Sequence, residues 1–133
     1  MADRPTYVTD THSLLWYLQN PKRLGPEATR AFEQVAANEA DLIVPVIVVA
    51  EIIYVLQTGR VSANFEDILA RLQASPNVEI PALTLERALD LRTLIAVPEM
   101  HDRLIVAEAH ARNATLITQD QAITASGLVQ TVW

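Results

Sequence analysis

Thr6-Tyr7-Val8-Thr9-Asp10-Thr11-His12-Ser13-Leu14-Leu15 compresses a strand, a sharp exit and a helix start into one short stretch. Tyr7, Val8 and Thr9 are β-branched or aromatic and suit a strand. Thr11 and Ser13 can cap a helix start, and Leu14, Leu15 and Leu18 give that helix an apolar stripe. Asp10 then falls at the carboxyl end of the strand, where open α/β sheets bind their ligands. It is either a turn or N-cap residue or the first member of a site, and acids at similar junctions elsewhere bear on which.

Outward from this stretch, residues 1–5 read as a frayed leader and residues 13–19 as the first helix, stopped by Asn20-Pro21. A second helix begins at Pro26 and runs to about residue 38, with Ala31, Val35 and Ala36 inward. Asp41-Leu42-Ile43-Val44 is a second strand, closed by Pro45. The segment after it is rich in β-branched residues, yet a helix from about Ile47 to Gln57 fits better. Glu51 in a central strand would be a costly buried charge, and Gly59 supplies a helix stop. So apolar a helix is either deeply buried or part of an interface. Ser62 caps a helix over residues 64–74, and a third strand spans 78–80 before Pro81. Thr84 caps a helix over 85–94, and another covers 99–112, ending at Asn113 as a left-handed cap. A fourth strand at 115–118 leads directly to Asp120, a helical turn at 121–126 stops at Gly127, and residues 128–133 form a fifth strand. Strands separated by helices imply crossover connections, hence a three-layer α/β/α fold with a mostly parallel sheet of about five strands.

The 133 residues suit one domain spanning 1–133, and an apolar fraction of 50% supports a real core. There is no Cys, which excludes disulfides and thiolate sites and fits a reducing compartment. No signal peptide is visible and no apolar run is long enough for a bilayer, so a cytoplasmic protein without a membrane is expected. The formal charge of −6 argues against a high-affinity nucleic-acid binder of the ordinary basic kind. It leaves room for an enzyme whose metal ions offset a carboxylate cluster.

Four acids occupy comparable places in the pattern. Asp10 follows strand one, Glu51 lies early in the helix after strand two, Asp102 starts the helix before strand four, and Asp120 follows strand four. In a parallel sheet these points share one edge. Glu99 lies one turn before Asp102, on the same face. Carboxylates gathered this way raise one another's pKa, and divalent cations resolve the conflict. Mg²⁺ or Mn²⁺ prefers carboxylate oxygen and needs neither Cys nor His. The alternatives are ordinary: first-turn acids, an Asx turn at Asp120, a salt bridge from Glu51 to an arginine. Glu51 resists dismissal most, flanked by Val49, Ala50, Ile52 and Ile53.

The chain resembles the PIN-domain ribonucleases, specifically the VapC-type toxins of toxin–antitoxin pairs. The resemblance covers essentially the whole chain. It rests on residues 7–18, on Glu51-Ile52 followed by Leu56-Gln57-Thr58-Gly59-Arg60-Val61, on His101-Asp102-Arg103-Leu104-Ile105-Val106-Ala107-Glu108-Ala109, on Leu116-Ile117-Thr118-Gln119-Asp120 and on the ending Val132-Trp133. It implies that Asp10, Glu51, Asp102 and Asp120 form a catalytic acidic metal site and that Thr118 steadies it through a hydrogen bond. It implies a Mg²⁺- or Mn²⁺-dependent endoribonuclease that cuts RNA by in-line attack of water, leaving 5′-phosphate and 3′-hydroxyl ends. Many relatives carry an acid a few residues before the Asp102 position. Here Glu99 stands in that neighbourhood, as an outer acid of the site or only as a helix start.

The same resemblance implies a homodimer and a cognate antitoxin protein whose tail lies beside the acidic site. Leu14, Trp16, Tyr17, Ile53, Tyr54 and Leu56 are candidates for such contacts or for plain core. Arg60 and Arg103, with Lys22-Arg23, are candidate phosphate contacts to the RNA substrate. Competing readings are a PIN nuclease that acts without an antitoxin and an inactive PIN module used only for protein binding. A phosphoacceptor domain ranks low, since no Lys follows Lys22.

Overall fold

The structure, a computed structural model, describes residues 4–133. In chain order the elements are β1 (Thr6–Thr9), α1 (Thr11–Gln19), a 3₁₀ turn (Pro21–Arg23), α2 (Pro26–Ala36), β2 (Asp41–Ile43), α3 (Val46–Gln57), α4 (Phe65–Ala74), β3 (Val78–Glu79), α5 (Leu85–Asp90), α6 (Met100–Ala111), β4 (Thr115–Ile117), α7 (Gln121–Ser126) and β5 (Thr131–Val132). The strands form one five-stranded sheet in the order β3-β2-β1-β4-β5. Every pairing is parallel; Val8 stands between Ile43 of β2 and Leu116 of β4.

That order explains the layering. The chain steps from β1 outward to β2 and β3, then returns across the sheet to β4 and continues to β5. Right-handed crossovers in opposite directions put their helices on opposite faces, which gives the α/β/α arrangement. The reversal lies between β1 and β4, so the crevice at the carboxyl ends of these two strands is the topological switch point. Being covered on both faces, the middle strands β1 and β4 are apolar or neutral throughout: Val8, Thr9, Leu116 and Ile117 are fully buried. The outermost strands β3 and β5 are very short, which limits the unpaired edge they present.

The helices follow their sequence signals. In α2, Ala28, Ala31, Phe32 and Val35 recur at helical spacing and are buried, while Ala36, expected inward, is exposed. Phe32 instead fills that side, stacked on Tyr17 of α1 with ring centroids 4.4 Å apart. The β-branched segment after Pro45 is helical as expected, with Val48 and Ile52 buried and Tyr54 70% exposed. In α6 the run from Leu104 to Ala109 is buried, and its alanines let the helix lie close on β1. Asn113 adopts the left-handed backbone (φ 52°) that ends α6.

Four expectations are corrected. The leader is not frayed at Arg4, whose guanidinium bonds Asp41 at 3.0 Å and the Asn38 carbonyl at 2.6 Å; residues 1–3 of that segment lie outside the described residues. Asn64, not Ser62, caps α4, its side-chain oxygen accepting from the Asp67 amide at 3.0 Å. Helix α5 stops at Asp90 rather than near residue 94, because Leu94 and Val97 leave the helical path to fill the core. The last strand is confined to Thr131–Val132; Leu128 and Val129 pack on the core from a bend after Gly127.

Candidate active site

The first turn of α1 builds the centre of the site. Asp10 leaves β1 in extended backbone and is itself the N-cap, its Oδ1 accepting from the Ser13 amide at 2.9 Å. Thr11 and Ser13, expected to cap this helix, bond elsewhere. The Ser13 hydroxyl donates to the Ile117 carbonyl at 3.1 Å and the Thr11 hydroxyl donates to Glu51 Oε1 at 2.7 Å. Both side chains are buried, and both tie α1 to the neighbouring elements that carry the other acids. The Asp10 amide also donates to the Ile117 carbonyl at 3.3 Å, so β1 and β4 are clamped where they diverge.

From β4 comes the second clamp. Thr118, 1% exposed, donates its hydroxyl to Asp10 Oδ2 at 2.5 Å and accepts the Asp120 amide at 3.1 Å. Asp120 then caps α7, its Oδ1 accepting from the Ile123 amide at 3.0 Å. Across the crevice, Glu99 caps α6 by accepting the Asp102 amide at 2.7 Å, and its other oxygen meets His101 Nδ1 at 2.6 Å. Asp102 therefore sits in the first turn of α6. Asp10, Asp102 and Asp120 all stand at helix N-termini, whose partial positive charge favours anions.

Between these elements lies one open cleft of about 720 Å³. Its walls include Asp10, Glu51, Asp102 and Asp120, with Thr11, Ser13 and Ile105 at the base. Electrostatics bind them together. The Asp102 carboxyl is pushed up to about 6, first by burial and then by the charges of Glu99, Asp120, Glu51 and Asp10. Glu99 is held below the usual carboxylate range: partial burial works against this, but the Asp102 and His101 amides and the His101 ring outweigh it. His101 is raised, chiefly by its hydrogen bond to Glu99. Among the described residues no arginine pairs with Glu51, so its partner is a hydroxyl rather than a cation.

The donors are oxygen alone, and among the described residues none of the four cleft acids is paired with a cation, which suits a hard divalent ion. As arranged, no three of the described His, Asp and Glu side chains stand close enough to share one ion. Among the described residues no group hydrogen-bonds the Asp102 carboxylate, so it is the acid freest to turn toward a cation.

Of the three arginines singled out in the sequence, Arg60 and Arg103 do not line the cleft. The Arg103 guanidinium donates to the Val97 carbonyl, and Arg60 follows the end of α3 on the exposed surface. Arg23 lines it instead, together with His12, Trp16, Gln119, Gln121 and Trp133. Trp133 reaches the cleft from the far edge of the sheet because its carbonyl accepts the Glu27 amide at 2.9 Å and its side chain lies against Gly25. A Cβ on Gly25 would stand 2.7 Å from Trp133 Cδ1, so only glycine lets the two segments meet.

No curated protein matches the chain. Solved structures do. The chain is similar to VapBC2 from Rickettsia felis bound to a promoter DNA fragment, at 19% identity and a TM-score of 0.69, covering 96% of this chain and 97% of that one. It is similar to a toxin–antitoxin complex from Klebsiella pneumoniae, at 19% identity and a TM-score of 0.66, with 96% of each chain covered. FitAcB from Neisseria gonorrhoeae matches at 19% identity and a TM-score of 0.62, again over 96% of each chain. At such identities these matches speak for the fold. The PIN domain family model matches residues 7–125, from the first residues of β1 through α7, and the chain belongs to the PIN domain family.

Proposed function

We propose that the protein is a Mg²⁺- or Mn²⁺-dependent endoribonuclease and the toxin of a toxin–antitoxin pair. The reading rests above all on the gathering of Asp10, Glu51, Asp102 and Asp120 in one cleft at the switch point, where Asp102 is pushed up to about 6, first by burial and then by its acidic neighbours. Asp10, Glu51, Asp102 and Asp120 would hold the ion once Asp102 turns toward the other three. A bound divalent cation supplies positive charge to the phosphodiester oxygens and acidifies a water for attack.

The residues of the chain fix the acids for that task. Thr118 and the Ser13 amide hold both oxygens of Asp10, and Thr11 holds one oxygen of Glu51. Each keeps a lone pair directed elsewhere, since a carboxylate oxygen accepts more than one bond. Glu99 secures the first turn of α6 through the Asp102 amide and acts as a positioning residue. The cleft is open, which suits a polymer that enters and leaves sideways.

The toxin role draws on the similarity to toxin–antitoxin complexes and on apolar side chains left exposed. Tyr54 is 70% exposed, Leu85 75% and Ile95 72%, with Ile53, Leu89 and Met100 nearby in sequence. Large exposed apolar side chains on α3 and α5 suit a homodimer contact and an antitoxin partner.

The test is cleavage of a panel of structured and single-stranded RNAs with Mg²⁺ or Mn²⁺, beside the Asp10→Asn variant and an EDTA control. Metal-dependent cuts with 5′-phosphate ends, absent from the variant, are expected. No cleavage together with no Mn²⁺ binding by calorimetry would overturn the catalytic reading. Light scattering of Tyr54→Lys should show a smaller species than the unaltered chain.

A further inference from the structure

The lining of the cleft also carries side chains of a different chemistry. Both tryptophans of the chain, Trp16 and Trp133, line it, and both are partly exposed. The Arg23 guanidinium carbon lies over the Trp16 ring, 4.0 Å from its centroid. The His12 ring stands 5.9 Å from Trp16 at a tilt of 41°. Arg23 is the one Lys or Arg side chain among the cleft-lining residues, and among the described residues it forms no ion pair with an acid. A cation stacked on indole keeps its edge N–H groups for a further acceptor.

Resting on the nuclease reading, we propose that Trp16, Trp133 and Arg23 form a stacking shelf for unpaired nucleotides next to the cut phosphate. The Trp133 indole and the open side of the Arg23–Trp16 stack take bases of any identity, and the edge N–H groups of Arg23 hold a backbone phosphate. This solves a problem posed by the charge of −6: a strand that the acids repel is retained by stacking and one local cation rather than by a basic surface. It also sets a class of substrate. A base inside a duplex has no free face for the shelf, so the strand must be single at that point. The shelf is tied to the site by the chain itself, since Trp16 lies on α1, the helix that Asp10 caps.

Because the chain has only these two tryptophans, its intrinsic emission reports on the cleft alone. The experiment titrates the full chain, with Ca²⁺ in place of Mg²⁺, using an octamer of adenylate RNA and an octamer of abasic sugar-phosphate. The RNA octamer should quench tryptophan emission and bind about tenfold more tightly than the abasic one. Trp16→Leu should lose most of that tenfold difference. Arg23→Gln, an exposed change that leaves the core untouched, should weaken both octamers and lower the salt slope of binding by about one. Equal binding of the two octamers with unquenched emission, while RNA is still cut in Mg²⁺, would overturn the shelf and leave the nuclease reading standing. Absence of binding by both, with no cleavage in Mg²⁺ or Mn²⁺, would overturn both together.

Discussion

The Thr118 hydroxyl donates to Asp10 Oδ2 at 2.5 Å across a sequence separation of 108 residues. The bond joins the ends of β4 and β1 at the switch point and fixes the orientation of the central carboxylate. Thr118→Val keeps the shape and removes the donor. We expect a stability loss of about 1–2 kcal/mol, the usual penalty for a buried charge-assisted bond. RNA cleavage should fall by about tenfold or more with KM little changed, measured by initial rates beside thermal melting. Unchanged cleavage would show that Asp10 needs no such tether.

Asp10 has a structural duty as well as its proposed chemical one, and two substitutions separate them. Asparagine keeps a side-chain oxygen for the Ser13 amide, whereas alanine leaves that amide uncapped. Asp10→Asn should therefore abolish cleavage and lose only the charge-assisted bond from Thr118. Asp10→Ala should abolish cleavage, lose that bond and lower stability by about 1 kcal/mol more than asparagine does. Equal melting temperatures for the two variants would remove the capping role.

Asp102 gives a pH dependence with a definite sign. Its carboxyl binds protons more tightly in the folded chain, at about 6 against an ordinary 3.8. A raised folded value stabilises the protein at low pH and that contribution is lost as pH rises through about 6. Asp102→Asn carries no charge to repel its neighbours. At pH 8 it should be more stable than the unaltered chain by about 1 kcal/mol after screening is allowed for, and the gain should vanish near pH 4. Melting curves of both proteins across this range test it; a variant less stable at pH 8 would refute the repulsion.

A divalent cation should relieve the same repulsion. Saturating Mg²⁺ or Mn²⁺ at pH 8 should raise the melting temperature by several degrees, corresponding to about 2–3 kcal/mol at a hundredfold excess over Kd, and EDTA should reverse it. The shift should shrink below about pH 6, where Asp102 takes a proton instead. An equal shift in Asp102→Asn would place the ion elsewhere.

The parallel five-stranded sheet was legible because strands alternate with helices along the sequence, whereas the order β3-β2-β1-β4-β5 was not, since nothing in the alternation says on which side of β1 the chain returns. The acids were legible for the same reason: Asp10 and Asp120 follow strands, and topology brings strand ends together. What looked like rival readings proved compatible, since Asp10 and Asp120 are caps and cleft residues at once. Arg23, Trp16 and Trp133 were harder to place. Their meeting depends on how the 3₁₀ turn folds back on α1 and on the close approach of Trp133 to Gly25, neither of which has a sequence period. Leu85 and Leu89 look like core by spacing, yet α5 is too short to turn them inward once Leu94 and Val97 occupy that space.

Three acids around the cleft, Asp10, Glu99 and Asp120, begin helices with their own side chains. This couples the fate of the chemistry to the fate of the fold under mutation. A gene copy drifting free of its activity cannot shed these residues without cost, because most replacements would leave a helix start uncapped, at about 1 kcal/mol each. Asparagine or serine at positions 10 and 120 is the narrow exit that silences the charge and spares the architecture. Descendants that have become pure binding modules should therefore be recognisable by amides and hydroxyls standing where this chain has carboxylates.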